Sequence, residues 1–170
     1  MTDPLLKYRE QHKHRLNYMP WLYWSLKPKH REWAEQWQAE YQAYLMEMET
    51  VEIGKNCFIS PLAHIFAERG RKISIGDNTF IAADCTLHGP LQIGSEVAIN
   101  HHCILDGGRA GIKLHDQVRI AAYSHLYAFD HGMDLERPIY QQAVTSKGIE
   151  IGQDVWLGAH VGIKDGVTIG

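Results

Sequence analysis

The stretch "IEIGQDVWLGAHVGIKDGVTIG", Ile149 to Gly170, places Ile151, Leu157, Ile163 and Ile169 six residues apart. A spacing of six fits neither the 3.6-residue period of a helix nor an ordinary strand followed by a variable turn. Followed backwards, the register reaches Ile53, and its members come in triplets: Ile53, Ile59, Ile65; Ile75, Ile81, Leu87; Ile93, Ile99, Leu105; Leu114, Ile120, Leu126; Ile151, Leu157, Ile163; with Ile169 opening another. All sixteen are Ile or Leu, and the steps between triplets are 10, 6, 9, 25 and 6 residues. Every insertion therefore falls after a third member and none inside a triplet. If three hexapeptides make one turn of a triangular coil, all insertions leave from the same corner, where they can bulge without disturbing stacked strands. The pattern predicts an all-β solenoid of five complete coils with the key aliphatics inward, and it puts Ile59, Ile81, Ile99, Ile120 and Leu157 in one stack.

Glycine follows the key aliphatic at Gly54, Gly76, Gly94, Gly152, Gly158 and Gly170, which suits tight corners between short strands. The position four after a key residue is mostly small or β-branched, and Cys57, Cys85 and Cys103 all occupy it. They read as small buried filler with no part in chemistry. Cys85 and Cys103, one coil of eighteen residues apart, should stack at about the 4.8 Å strand spacing. An odd count without C-x-x-C spacing implies no disulfide framework and no thiol-based metal motif.

The first fifty residues lack the repeat, so the chain divides into an N-terminal helical segment over 1–50 and a β-helix over 51–170. Pro28 can open a helix, on which Trp33, Trp37, Tyr41, Tyr44, Leu45 and Met48 follow at helical spacing; a shorter helical piece precedes Tyr18. The expected role of this segment is a cap over the open edge of the first coil, whose backbone groups would otherwise be unpaired. The aromatic run "MPWLYWSL" leaves contact with a partner or membrane surface as the alternative. Seventeen Lys and Arg against twenty Asp and Glu give a formal charge of −3, without the basic excess that nucleic-acid binding leaves. No apolar run approaches the roughly 18 residues of a transmembrane span, and a cytoplasmic protein is the default expectation. Because the chain stops as a new coil starts, further coils beyond Gly170 are expected.

In this repeat the chain resembles the hexapeptide-repeat acyltransferases over about 120 residues, from Val51 to Gly170. The resemblance implies a left-handed parallel β-helix, although parallel β crossovers are right-handed in roughly 98% of cases. It also implies acetyl transfer from acetyl-CoA, and a homotrimer with each active site between two subunits. The largest interruption, nineteen residues beyond the six the repeat needs, opens with "FDHGMD" and covers about 130–148. Loops of that length are usually functional or disordered. In the members acting on galactosides, maltose and xenobiotics the catalytic histidine lies at the mouth of such a loop, five residues after a key aliphatic, which here is His131. A neutral imidazole can take the proton of an attacking hydroxyl at physiological pH. With no nucleophile motif in the chain, direct transfer is expected. By the same resemblance Asn100 in "AINHHCILDGG", Asp106 and Trp156 are acceptor-binding candidates, and Gly158 and Ala159 lie where a pantetheine arm would run. Asp106 before Gly-Gly is also ordinary turn chemistry, and Asn100 a possible corner cap.

Two other classes share this coil. "IGDNTFIAADCTLH" and "INHHC" are similar to the histidine-bearing strands of γ-class carbonic anhydrases, which bind zinc through three histidines, two of them separated by four residues. The repeat region has no such pair, since His125 and His131 have five residues between them, and no metal is expected. A non-catalytic β-helix scaffold would have little use for the long loop and its histidine. The expected activity is O-acetylation of a sugar or glycan hydroxyl.

Overall fold

The computed structural model describes residues 4–170. Helix α1 (Pro4–Tyr18), a 3₁₀ turn (Pro20–Leu22) and helix α2 (Pro28–Met48) precede a solenoid of short parallel strands. The solenoid has three faces. The first carries six strands, ending with Ile53, Ile75, Ile93, Leu114, Ile151 and Ile169 in mutual register. The second carries five and stacks Ile59, Ile81, Ile99, Ile120 and Leu157. The third stacks Ile65, Leu87, Leu105, Leu126 and Ile163. Five coils are complete and a sixth has begun, as the triplets predicted.

All the key aliphatics are buried except Ile53 and Ile169, which stand at the two ends of the stack and are half-buried against the core. Full burial of an Ile or Leu side chain contributes roughly 1.5–3 kcal/mol, and the register residues share the interior with Ile73, Leu91, Ile112 and Ile149 on the first face and with the small fillers Cys57, Cys85, Val97, Cys103 and Val118. Between coils, successive backbones bond directly, for example Gly54 N to Ile75 O and Gly76 N to Ile93 O, both at 2.8 Å.

The corners differ from the expectation in one respect. None of the glycines after the key aliphatics has a positive φ; the left-handed non-glycine residues are Asn56, Asn78, Asp84, Glu96, His102, Gln117, Tyr123, Asp154 and His160, each three positions after a key aliphatic. Gly54, Gly76 and Gly94 are required by close approach, whereas Gly158 has open space where a Cβ would be. A Cβ on Gly76 would stand 2.6 Å from the backbone of Gly94 and Ser95, and one on Gly94 would stand 2.7 Å from Asp116 N.

Helix α2 closes the first coil, and it does so with a residue that an apolar pattern passes over. Gln38 is buried; its Nε2 donates to Ile59 O at 3.1 Å and its Oε1 accepts from Ile59 N at 2.8 Å. The amide thus imitates a neighbouring strand. Gln42 Nε2 donates to Cys57 O at 2.9 Å, and Leu45 enters the solenoid core. Of the residues at helical spacing, Tyr44 and Met48 are exposed. The rings of the N-terminal segment cover the outside of the second face instead: Leu16 and Tyr23 pack with Phe58, Phe80 and Ala98, flanked by Trp24, Trp33 and Trp37. Helix α1 is tied down by Ala83 N donating to Asn17 O (2.7 Å) and Ser60 Oγ donating to Asn17 Oδ1 (2.9 Å). No described helix is long and apolar enough to cross a membrane.

Candidate active site

The long insertion is a structured hairpin. Asp130–His131 pairs antiparallel with Val144–Thr145, and a 3₁₀ turn at Ile139–Gln141 lies near its tip. Gln142, buried in this otherwise exposed loop, organises it: Oε1 accepts from Asp134 N (2.8 Å), and Nε2 donates to Asp134 O and Arg137 O. At its base, Ser146 Oγ donates to Ala128 O and accepts from Arg109 N (3.0 Å) and Ala110 N (2.9 Å). That hydroxyl fastens the hairpin to the insertion after Leu105.

His131 is exposed on this hairpin. It lines a groove of about 500 Å³ with His125, Tyr127, Phe129, Asp130, Gly162, Ile163 and Lys164. Its ring packs edge-on to Phe129 at 6.4 Å, and no described residue hydrogen-bonds its nitrogens. Asp130, its neighbour in sequence, turns to Lys164 instead (3.3 Å). Both imidazole nitrogens are therefore available to a ligand. His125 reaches the same groove because its strand partner is Gly162, where a Cβ would stand 2.6 Å from His125 Nε2. From the sequence His125 was weighed only as half of a zinc pair, and Lys164 not at all; the signal for the groove was a histidine one position before a key aliphatic, opposite a glycine.

Asp106 lies on the other side of Phe129, in a pocket of about 250 Å³ with Arg71, His88, Arg109, Val144 and Ser146. Its Oδ1 accepts from Gly108 N at 3.0 Å, the turn contact expected of Asp-Gly-Gly, and also faces His88 Nδ1 at 3.4 Å. The other nitrogen of His88 meets Glu68 at 3.1 Å, and Arg71 Nε meets the same carboxylate at 3.2 Å. Glu68 is held below the usual carboxylate range, first by its own backbone N–H and then by His88.

Asn100, Gly158 and Ala159 stand at the corner between the second and third faces. Asn100 Nδ2 donates to Ile120 O at 2.9 Å, so this amide does cap the corner. Gly158 has open space where a Cβ would be, and Ala159 is exposed. The same corner holds a ladder of left-handed side chains. Tyr18 Oη donates to Asp84 (2.8 Å), His102 lies 3.5 Å from that carboxylate and 2.9 Å from His101 Nδ1, and Tyr123 stacks between His102 and His160. The Tyr18 hydroxyl is pushed up by its bond to Asp84, and His101 is pushed down, first by burial and then by His102. Trp156 stands on the outside of the second face, 76% exposed. Within the chain the sequence-derived candidates stand apart: His131 in the hairpin groove, Asp106 in its own pocket, Asn100, Gly158 and Ala159 at the corner, and Trp156 outside the second face.

The cysteines are buried. Cys85 Sγ donates to Asn100 O at 3.0 Å and Cys103 Sγ to Ala121 O at 3.2 Å. Contact with Cys103, reinforced by burial, pushes the Cys85 thiol up. Among the described residues no three His, Cys, Asp or Glu side chains converge as a metal site.

No protein-family model matches the chain. Its fold is similar to a crystal structure of a mutant of AntD, an N-acyltransferase from Bacillus cereus in complex with dTDP and coenzyme A. The TM-score is 0.66 at 32% identity, covering 76% of this chain and 72% of that one. A hexapeptide-repeat containing acetyltransferase from Vibrio cholerae shares the fold at TM-score 0.50 and 24% identity, over 99% of this chain and 76% of that one. In sequence, WcaF of Escherichia coli K12, assigned as a colanic acid biosynthesis acetyltransferase, is 26% identical over 151 residues, 88% of this chain and 68% of that protein. The chain belongs to the hexapeptide-repeat β-helix acyltransferase family.

Proposed function

We propose that this protein transfers an acyl group, acetyl in the simplest case, from acyl-CoA to a hydroxyl of a sugar or glycan, with His131 as general base. The observation that carries this reading is the placement of His131 on an anchored hairpin above an open groove, with both ring nitrogens free of protein partners. In the reaction, an imidazole nitrogen takes the acceptor's O–H proton as the oxygen attacks the thioester carbonyl. The C–S bond breaks, and the departing CoA thiolate recovers the proton from the imidazolium. No cysteine is placed to carry the acyl group, since all three are buried in the coil. AntD has been crystallised with coenzyme A and with a dTDP-linked amino sugar, which supports the donor and a sugar acceptor here.

Asn100, Asp106 and Trp156 are assigned to acceptor binding, and Gly158 and Ala159 to the path of the pantetheine arm, which the open space above Gly158 accommodates. Because these groups stand apart from His131 within one chain, we further assign the complete site to the junction of two protomers in a homotrimer. Met133, Leu135 and Tyr140 on the hairpin are at least 75% exposed, as is Trp156, and a neighbouring copy would cover them. The test is thiol release from acetyl-CoA over a panel of sugars and amino sugars, with mass spectrometry locating the acyl group on oxygen or nitrogen. Acceptor-dependent release with an ester product is expected. Release with no acceptor in the panel, or an amide product alone, contradicts the reading.

A further inference from the structure

The N-terminal segment leaves a gap on the second face that none of the assignments above uses. This pocket, of about 370 Å³, is lined by Trp21, Trp24, Phe80, Asn78, Glu96 and Arg119. Its wall is aromatic and its rim is polar. Phe80 and Ala98 form a buried floor, and Trp24 is held against Phe80 (6.1 Å) with its indole N–H donating to Asn56 O at 3.3 Å. Trp21 differs: it is 50% exposed, and no described residue accepts from its indole N–H. An unpartnered ring of that size at a cavity mouth is a platform for a ligand.

The rim groups are fixed on one side and open on the other. Asn78 Oδ1 accepts from Asn56 Nδ2 at 2.7 Å, leaving its own NH₂ unpaired. Glu96 Oε2 accepts from Gln117 Nε2 at 3.1 Å, leaving Oε1 unpaired. One Arg119 nitrogen donates to the carbonyls of Glu96 and Val118, and the guanidinium's other nitrogens have no described partner. Neutral donors, a carboxylate acceptor and a guanidinium around an indole face match a pyranose. Its C–H face, slightly positive, lies on the negative face of the ring, while vicinal hydroxyls pair with the carboxylate and amide. A nucleotide would fit less well, because its phosphates would meet Glu96. Trp156 is Arg119's strand partner on the same face and is 76% exposed, so a second platform continues the strip about one strand spacing, roughly 4.8 Å, further on.

We propose that this pocket, with Trp21 as its stacking platform, binds a saccharide unit of the acceptor remote from the reacting hydroxyl. The acceptor is then an oligosaccharide or glycan rather than a free monosaccharide. Its role in catalysis rests on the acyl-transfer reading, but binding does not, and is measured without CoA. The experiment is saturation-transfer NMR on the full chain with glucose, galactose, lactose, maltotriose and adenosine. Expected is transfer to sugar C–H protons, stronger for lactose or maltotriose than for the monosaccharides. Trp21→Ala should weaken binding by roughly 2- to 10-fold, the range of an aromatic contact, and Trp21→Phe should restore most of it. Transfer to no sugar, transfer to adenosine alone, or equal binding by wild type and a folded Trp21→Ala overturns the proposal. Sugar binding that survives in a protein without thiol-release activity would contradict the acyl-transfer reading and leave this site standing.

Discussion

Replacing Gln38 with Ala removes the side chain that stands in for a missing strand at the start of the solenoid. Two hydrogen bonds disappear, at 2.8 and 3.1 Å, and both their backbone partners belong to Ile59, which is fully buried. A buried donor or acceptor left unsatisfied costs about 1–3 kcal/mol. Two such groups, with partial relief from water entering the space vacated, predict a loss of about 2–4 kcal/mol. Gln42, which donates to Gln38 Oε1 at 3.0 Å, also loses a partner. Gln38→Leu keeps most of the volume and should cost as much, because the penalty comes from polarity and not from a cavity. Urea unfolding followed by far-ultraviolet dichroism measures the difference, read as a shift in midpoint at constant slope. A loss below about 0.5 kcal/mol for both variants, the level of an unimportant surface change, would refute the view that α2 closes the first coil through this amide.

Gly76→Ala and Gly158→Ala form a matched pair. A Cβ at Gly76 would stand 2.6 Å from backbone and should cost about 1–3 kcal/mol as overpacking, whereas Gly158 has open space and should tolerate Ala within about 0.5 kcal/mol; thermal unfolding of both decides. Replacing Cys57, Cys85 and Cys103 together with Ala or Val should leave the turnover of the folded protein largely intact, and an acyl-cysteine seen by mass spectrometry after mixing with acetyl-CoA alone would contradict direct transfer. The lowered pKa of His101 makes stability depend on pH. Its contribution is full above the unfolded value of about 6.5 and is lost as pH falls through the folded pKa. His101→Gln should therefore flatten the decline in midpoint temperature on acidification below about pH 6.5, and an unchanged decline contradicts the assignment.

The solenoid was legible because an Ile or Leu recurs at one spacing on each face, and Ile59, Ile81, Ile99, Ile120 and Leu157 stack as the register required. What escaped were interactions with no periodic signature. Gln38 is polar and sits in a helix whose apolar residues drew attention, yet its amide is the group an open strand edge needs. The glycines were read as corner formers, while the residues three after a key aliphatic take the left-handed turn, and Gly54, Gly76 and Gly94 let coils approach. Of the candidate site, the offset and the loop mouth placed His131 on the hairpin, but spacing alone could not show His125 facing the same groove. It also could not show Trp21 and Arg119, nearly a hundred residues apart, meeting across one pocket.

The central claim is that His131 removes the acceptor's proton. The most direct measurement is kcat for His131→Ala beside wild type, under saturating acetyl-CoA and with the best acceptor of the panel. General-base catalysis contributes typically 10²- to 10⁴-fold, and kcat should fall by about that factor while acetyl-CoA binding stays nearly unchanged. His125→Ala is not a neutral control, since His125 lines the same groove, and His102 shares the corner with Asn100 and Gly158; His115→Ala, beside the first face and paired with Glu150, is the better one. A folded His131→Ala protein that keeps more than about a tenth of the wild-type kcat would contradict the account, because a base worth so little falls below the range expected of one.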